Sequence, residues 1–272
     1  MIRSATHPFS TARAAVAALR SLVLVTSLSL LAACAGNDEE PITEVQNLQE
    51  AYDKARESVA RNNFTRGIQI FEAIQARYPF SDLSRQIQLE LMYAFYKSGQ
   101  NERAIEASET FIRENPIHRR VDYALYIQGL AHFDGDKGML ERWFRKDMTR
   151  RPPVGVEESY TTLRRLVERY PASPYAPDAR QRMVYLRDRL ARYENHVAEY
   201  YVRRGAYVAA VNRAKNALEE YNGSPSNERS LELLIAAYEE LGMQELADDA
   251  RRVLELNFGQ AATANPAVGP PR

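Results

Sequence analysis

The residues that could catalyse a reaction or hold a metal are few and scattered along this chain. It has four histidines, and none lies at metal-ligand spacing from a second histidine or from the cysteine. The glycine motifs that bind phosphates or dinucleotides, or that present a nucleophilic serine, do not occur either. His132 falls at a helix-packing position of the repeat described below, and we interpret it as a core histidine. The sequence predicts no catalytic centre, no metal site and no cofactor.

The one cysteine, Cys34, suggests a different chemistry. It directly follows Leu31–Ala33, at the end of an apolar run that basic residues precede and that is too short for a comfortable membrane span. This arrangement resembles the lipobox of bacterial lipoproteins. We predict that residues 1–33 are a lipoprotein signal peptide and that Cys34 carries diacylglycerol and an amide-linked acyl chain. The alternative is an ordinary secretory signal followed by an unrelated cysteine.

The residues after Cys34 predict where the lipoprotein resides. They are Ala35 and Gly36, not the aspartate that retains lipoproteins in the inner membrane of enteric-type bacteria. By that resemblance the protein sorts to the outer membrane and faces the periplasm. Residues 34–47 are polar and acidic, and we predict that they form the lipidated start of a flexible tether.

Helical periodicity predicts that the remainder is built from pairs of helices. Residues 85–116 serve as the template: one amphipathic helix, a turn at Gly99, and a second helix that Ala104 opens and Pro116 ends. Copies of this pattern recur with a nearly constant spacing. A single pair cannot bury its apolar stripes, so the pairs must stack. The sequence predicts an all-α, TPR-like α-solenoid of about five helix-turn-helix repeats, and an unrelated helical bundle is the alternative.

The predicted repeats fall into two groups. Repeats 1–3 occupy residues 48–177, with an insert at about 134–155. A long helix and repeats 4–5 occupy 178–258, and we expect residues 259–272 to be disordered. Asp178 and Gln181 are a plausible capping pair for the long helix. The insert contains Trp143 and Phe144, which either pack on the solenoid, as we favour, or face a partner or lipid.

The concave face of a TPR solenoid is lined by the first helix of each repeat. In repeats 1–3 the template places aromatic residues and two cations there: Tyr52, Arg56, Tyr93, Tyr96, Lys97, Tyr123, Tyr126 and Phe133. An aromatic trough with flanking cations suits an extended peptide with aromatic side chains and a free carboxylate. The alternative is that these tyrosines only pack helices together. The same positions in repeats 4 and 5 are mainly charged, which predicts a different partner for that half.

Three stretches carry a resemblance to a known family: F-x-x-I-x-x-R-Y-P-F at 71–80, D-Y-A-L-Y-I-Q-G-L at 122–130, and the segment 186–213. With the lipobox and the repeats, the chain resembles the BamD family, the lipoproteins of the outer-membrane β-barrel assembly machinery. The resemblance implies a non-enzymatic scaffold needed for folding and inserting outer-membrane β-barrel proteins. Its implied partners are a POTRA domain of BamA, other Bam lipoproteins and the C-termini of unfolded outer-membrane proteins.

The resemblance also implies a division of labour between the two halves. The N-terminal repeats would recognise C-terminal substrate signals, and the C-terminal repeats would dock on BamA. The candidate docking residues flank the turn at Gly205: Arg203, Arg204 and Tyr207. The alternative function is that of an envelope adaptor for cell-division or cell-wall proteins. Basic and acidic residues balance at 36 each, so the overall charge gives no indication of nucleic-acid binding.

Overall fold

The computed structural model describes residues 48–135 and 153–262, and the regular structure of these residues is entirely α-helical. It comprises α1 (Leu48–Ala60), α2 (Phe64–Arg77), α3 (Ser84–Lys97), α4 (Asn101–Glu114), α5 (Val121–Gly135), α6 (Val154–Arg169), α7 (Ala176–Arg203), α8 (Tyr207–Glu220), α9 (Asn227–Glu240) and α10 (Gln244–Ala262). The predicted all-α fold class is confirmed.

The helices stack as hairpins. Each helix packs against the next along the chain, and first helices of neighbouring repeats also meet, as in the pairs α1–α3, α3–α5 and α7–α9. Short connections between contacting helices make neighbours antiparallel, so α1, α3 and α5 run in the same direction. Contacts to the next repeat as well as within a repeat are the defining property of a solenoid. Together they give the succession of five hairpins that the periodicity predicts.

Close approach within the hairpins depends on glycines at the seam. A Cβ on Gly129 in α5 would lie 2.6 Å from Cδ2 and 2.8 Å from Cγ of Leu163 in α6, which is fully buried. The Ser159 hydroxyl also donates to the Gly129 carbonyl over 2.7 Å, which fixes the two backbones together. A methyl group at this site therefore forces either the Leu163 side chain or the two helices to shift.

We expect Gly129→Ala to lower the free energy of unfolding by about 1–3 kcal/mol, because overpacking forces side chains or backbones to shift. Urea unfolding followed by circular dichroism measures it. Gly259→Ala is the matched control: the nearest atom to its new Cβ is 3.9 Å away, an ordinary contact, so its midpoint should not fall. An unchanged midpoint for Gly129→Ala would contradict the close packing of α5 on α6.

The long helix α7 spans 28 residues and begins earlier than the capping pattern predicts. The residue before it is Tyr175, without a side-chain capping bond, and Pro177 occupies its first turn. The predicted pairing of Asp178 with Gln181 as a cap is wrong. Asp178 instead lies inside the helix and accepts hydrogen bonds from Tyr126 and Arg182.

A polar joint connects α7 to the turn that precedes α9. The carboxylate of Asp188 accepts hydrogen bonds from the hydroxyls of Ser224 (2.9 Å) and Ser226 (2.7 Å) and pairs with Arg192 at 2.7 Å. Burial alone would raise the pKa of Asp188, but the hydroxyls of Ser226 and Ser224 and the charge of Arg192 outweigh it and lower that pKa below its usual range. The ionised carboxylate therefore stabilises the junction between the long helix and the last repeat.

We expect Asp188→Asn to lower the free energy of unfolding by about 1 kcal/mol at neutral pH, because the amide loses the charge-assisted bonds. A lowered folded-state pKa gives stability that is present above the unfolded value, about 3.9, and is lost as pH falls through the folded value. The difference between variant and wild type should therefore shrink below about pH 4. Denaturant titrations at neutral pH and below about pH 4 measure this difference. Equal free energies of unfolding of the two proteins at neutral pH would contradict the stabilising role of Asp188.

Several predictions concern the ends and the insert. The last helix ends at Ala262, so residues 259–262 of the expected disordered tail belong to α10. The helices that flank the insert end at Gly135 and begin at Val154. Cys34, the tether, Trp143 and Phe144 lie outside the described residues, and the predictions for them stay predictions.

Candidate peptide-binding and docking surfaces

A tyrosine cluster, here Tyr93, Tyr123, Tyr126 and Tyr175, lies where α3 and α5 meet the start of α7. The Tyr126 ring stacks on Tyr175 with centroids 4.8 Å apart and planes 19° from parallel, and the Tyr123 ring lies 5.5 Å from the same Tyr175 ring. The pKa of Tyr123 is raised, mainly because the side chain is buried. The neighbouring Tyr175, Glu90 and Tyr93 raise this pKa further. The cluster thus places half-buried aromatic rings beside the first helices of repeats 2 and 3.

Charged groups at the α7 side of the cluster are already paired. The Tyr126 hydroxyl donates to Asp178 Oδ2 over 2.7 Å, and Arg182 Nε donates to the same oxygen over 2.6 Å. Burial raises the pKa of Tyr126, and the bond to Asp178 raises it further. Arg120 is placed differently: its guanidinium carbon lies 4.7 Å from the Tyr123 ring centroid, a cation–π contact. Its charge lies beside the cluster without engaging Asp178.

At the first repeat the structure corrects the predicted groove. The side chain of Tyr52 is buried, with its ring 5.8 Å from that of Phe71, and its hydroxyl donates to Glu90 over 3.3 Å. Arg56 lies 3.7 Å from Glu90, so the cation meets an acid from the neighbouring repeat. Tyr52 therefore packs α1 on α2 and α3, and we exclude it from the surface that could contact a peptide ring. The repeat template assigned Tyr52 to the concave face, and that assignment did not indicate that the side chain is buried.

The remaining predicted groove residues lie farther along α3 and α5. Tyr93 and Tyr96 are half-buried, and Lys97 at the end of α3 is exposed. Phe133 in α5 is half-buried and meets the ring of Tyr185 edge-on at 5.9 Å. An aromatic surface therefore continues from the tyrosine cluster toward the ends of α3 and α5, where Lys97 lies.

Sequence reasoning missed two aromatic members of this surface. Tyr175 lies in the connection before α7, outside the first-helix positions from which the groove was predicted. Tyr185 is half-exposed on the part of α7 that precedes the fourth repeat. Tyr175 immediately precedes α7 and Tyr185 lies within it, and both positions fall outside the repeat frame. The proline-flanked run of residues 174–177 was the only signal, and it predicts a corner without indicating which side chain faces the groove.

The predicted docking residues surround the turn between α7 and α8, where Gly205 adopts φ +72°. Arg203 and Arg204 are exposed, and the Arg204 guanidinium carbon lies 5.3 Å from the centroid of the half-exposed Tyr200 ring. A hydrogen bond to Glu240, at the end of α9, raises the pKa of Tyr207. The bond connects this turn to the next hairpin.

An apolar rim accompanies the two arginines at this end of the last two hairpins. Its members are exposed or partly exposed and lie in or beside the turns after α7 and α9: Tyr200, Val208, Leu241, Met243 and Leu246. Exposed apolar residues beside exposed cations are typical of protein interfaces, where arginine and aromatic side chains are enriched. The turn at Gly205 therefore has the composition expected of a docking surface.

Comparison with known proteins decides the family. The family model described as "Outer membrane lipoprotein" (YfiO) matches residues 45–254, most of this chain. The chain belongs to this family. Members are named outer membrane protein assembly factor BamD. One from Neisseria meningitidis serogroup A is 40% identical over 245 residues, which cover 88% of this chain and 92% of the relative. One from Neisseria gonorrhoeae is 40% identical with the same coverage.

Family membership extends beyond one genus. The BamD of Vibrio cholerae is 34% identical over 231 residues, covering 85% of this chain and 95% of that protein. Within residues 48–135 and 153–262, no helix is both long and apolar enough to cross a membrane. The family match covers α1 to α9 completely and the first part of α10, so the surfaces described above lie inside it.

Proposed function

We propose that this chain is a substrate-recognition and scaffold lipoprotein of the β-barrel assembly machinery, needed for folding and inserting outer-membrane β-barrel proteins. It is held in the outer membrane by lipid on Cys34 and faces the periplasm. Its relatives are named assembly factors, and the chain is a scaffold rather than an enzyme. The observation that supports recognition most directly is the tyrosine cluster, which continues toward Tyr96, Lys97 and Phe133.

The chemistry of that surface fits the C-terminal signal of an unfolded outer-membrane protein, which ends in an aromatic residue and a carboxylate. Neutral tyrosine rings provide apolar and stacking contacts for the aromatic side chain. Glu90 would repel a carboxylate near the first repeat, where it engages Tyr52 and Arg56. The exposed ammonium of Lys97 lies about two helical turns beyond Glu90, at the end of α3, and suits the carboxylate. We infer that the peptide lies along α3 with its C-terminus toward Lys97.

The C-terminal half has a second role in this proposal. The exposed arginines and the apolar rim at the Gly205 turn dock on an acidic surface of a POTRA domain of BamA, with Arg204 as the principal salt-bridge donor and Arg203 and Tyr207 beside it. The separation of the two surfaces lets one chain hold a substrate and the machinery together. Other Bam lipoproteins are expected in the same complex.

Capture from detergent-solubilised outer membranes, followed by mass spectrometry, tests the proposal against its alternative. The expected co-purifying proteins are BamA and accessory Bam lipoproteins. Recovery of cell-division or cell-wall proteins instead, with BamA absent, would favour the envelope adaptor and reject the assembly role. Mild alkaline hydrolysis should release ester-linked fatty acids from the captured chain, and loss of this release in Cys34→Ser tests the lipid anchor in the same preparation.

A further inference from the structure

Two apolar side chains project almost completely into solvent from equivalent turns of the first two repeats. Phe80 is 99% exposed and Ile117 is 97% exposed, the highest values among the large apolar residues of the described part of the chain. Each follows the proline that closes its repeat, Pro79 and Pro116. Complete exposure of a large apolar side chain forfeits the transfer free energy of its burial, so two at matched positions require an explanation.

The turns do not need these side chains for their own structure. In the first, the Ser81 amide donates to the Tyr78 carbonyl over 3.2 Å, and in the second the His118 amide donates to the Asn115 carbonyl over 3.1 Å. The third and fourth inter-repeat turns make the same bond, from Ser173 to Tyr170 and from Ser224 to Tyr221. There the residue equivalent to Phe80 and Ile117 is Ala172 or Gly223. The apolar projections are therefore an addition restricted to the first two turns.

Both projections lie at the edge where the described chain begins. Antiparallel neighbours place the start of α1, the turn before α3 and the turn before α5 at one edge of the stacked hairpins. The Tyr52–Glu90 hydrogen bond supports this register, since Tyr52 lies about one turn and Glu90 nearly two turns inside its own helix. Residues 35–47 connect this edge to Cys34, and a chain of that length spans no more than about 45 Å even when fully extended.

Arginines accompany the two projections. Burial lowers the pKa of His118, and the charges of Arg85, Arg119 and Arg120 lower it further. Arg85 begins α3 just after the first turn, whereas His118, Arg119 and Arg120 belong to the second. The contacts between α3 and α5, which run in the same direction, place the two turns beside each other, so that Arg85 and Arg119 lie at the same edge as Phe80 and Ile117. Arg85 and Arg119 are exposed, where long cationic side chains can reach lipid phosphates while neighbouring apolar groups enter the bilayer.

We propose that Phe80 and Ile117 are membrane-contact residues that insert into the headgroup boundary of an anionic phospholipid bilayer, with Arg85 and Arg119 binding its phosphates. The proposal rests on the lipid anchor at Cys34 in the proposed function, which brings the bilayer within reach. Two separate apolar side chains flanked by cations suit the headgroup region of a lipid bilayer. A protein partner would instead require a contiguous surface of complementary shape. The contact would orient the hairpin stack so that the inter-repeat turns of repeats 1 and 2 face the membrane.

The test uses the full lipidated chain reconstituted in vesicles of phosphatidylethanolamine and phosphatidylglycerol. A polarity-sensitive fluorophore is attached at Asp82→Cys, an exposed neighbour of Phe80, and in a second protein at Met243→Cys, in the turn between α9 and α10. Quenching by a lipid-borne quencher should be several-fold stronger at 82 than at 243. It should fall to the level seen at 243 when Phe80→Ser and Ile117→Ser are added, with helicity unchanged by circular dichroism.

Equal quenching at 82 and 243, or quenching at 82 that survives the double serine substitution, would overturn the proposal. The proposal would also be overturned if the fluorophore at position 82 became shielded from water only in native outer membranes and not in protein-free vesicles. That result would assign Phe80 and Ile117 to a protein partner. Arg119→Glu should weaken quenching in the anionic vesicles, and equal quenching in zwitterionic phosphatidylcholine vesicles would contradict the requirement for a net negative lipid surface. Failure of the anchor is separately visible: an unacylated Cys34 would take up a second fluorophore, which intact-mass measurement detects.

Discussion

Substituting Arg204 with alanine should reduce co-purification of BamA with this protein by about tenfold to hundredfold, since loss of a central interface arginine commonly costs about 1–3 kcal/mol. Arg204 is exposed beside the Gly205 turn and stacks on Tyr200, so its guanidinium is held in place before a partner arrives. Exposure also means that its removal leaves the hairpin packing intact. Tandem-affinity recovery of BamA, normalised to the captured chain, measures the effect.

The control for this experiment is an arginine whose charge the chain itself uses. Arg229 in α9 pairs with Glu199 at 2.9 Å and with Glu232 at 2.7 Å. Arg229→Ala should leave BamA recovery near the wild-type level, although it removes the same charge from the same half of the protein. Undiminished recovery with Arg204→Ala, or an equal loss with both variants, would reject docking through the Gly205 turn.

The second large effect concerns substrate recognition. Tyr93→Ala should weaken binding of a peptide that ends in aromatic-x-Phe by about tenfold, because an aromatic anchor in a partly enclosed site contributes about 1–3 kcal/mol. Tyr93 is half-buried beside Tyr123 and accessible on the surface that leads to Tyr96 and Lys97. Fluorescence anisotropy of a labelled peptide, titrated with purified protein, measures the dissociation constant.

Two comparisons separate binding from folding in that titration. Tyr200→Ala removes a half-exposed tyrosine from the other half of the molecule and should leave peptide affinity unchanged. Lys97→Glu should weaken a peptide with a free C-terminal carboxylate more than the same peptide with a C-terminal amide. Equal weakening by Tyr93→Ala and Tyr200→Ala would contradict peptide binding at Tyr93. If Lys97→Glu reduces the affinity of the amidated peptide and of the free-acid peptide equally, the proposed peptide orientation is wrong.

The two variants should also be separable from each other. Tyr93→Ala should retain BamA recovery, and Arg204→Ala should retain peptide binding, because the residues lie on different helices of different repeats. The two halves of the proposal then fail or succeed independently. A loss of both activities in either variant would indicate unfolding, which circular dichroism identifies directly.

Much of the fold was predictable because each repeat carries its own local signals. Gly99 does adopt a left-handed conformation, φ +77°, in the turn between α3 and α4, and Pro116 does follow the end of α4. Gly67 and Gly129 lie at the seam between paired helices, where a Cβ would meet a side chain of the partner helix within 3 Å. Turn chemistry, helix termination and seam packing act within one or two helices, and a periodic sequence reports such short-range rules faithfully.

The candidate site was less predictable because burial depends on more than one repeat. The template assigned Tyr52 and Tyr93 to the same face, yet Tyr52 is buried against Phe71 and bound to Glu90 from the next repeat. Tyr175 belongs to a connection whose length follows no repeat, and it nonetheless joins Tyr126 and Tyr123. Asp178 was interpreted through a local capping rule, whereas Tyr126, distant in sequence, determines its contact. Side-chain direction across repeats is a tertiary property that a single-repeat pattern does not contain.

The most direct test of the account is one pair of peptide titrations on the wild-type protein. One peptide ends in aromatic-x-Phe, and the other differs only by alanine in place of the terminal phenylalanine. Recognition by the aromatic surface along α3 and α5 predicts that the phenylalanine peptide binds about tenfold to hundredfold more tightly. Equal affinity for the two peptides, or no binding of either, would contradict the assignment of substrate recognition to this chain.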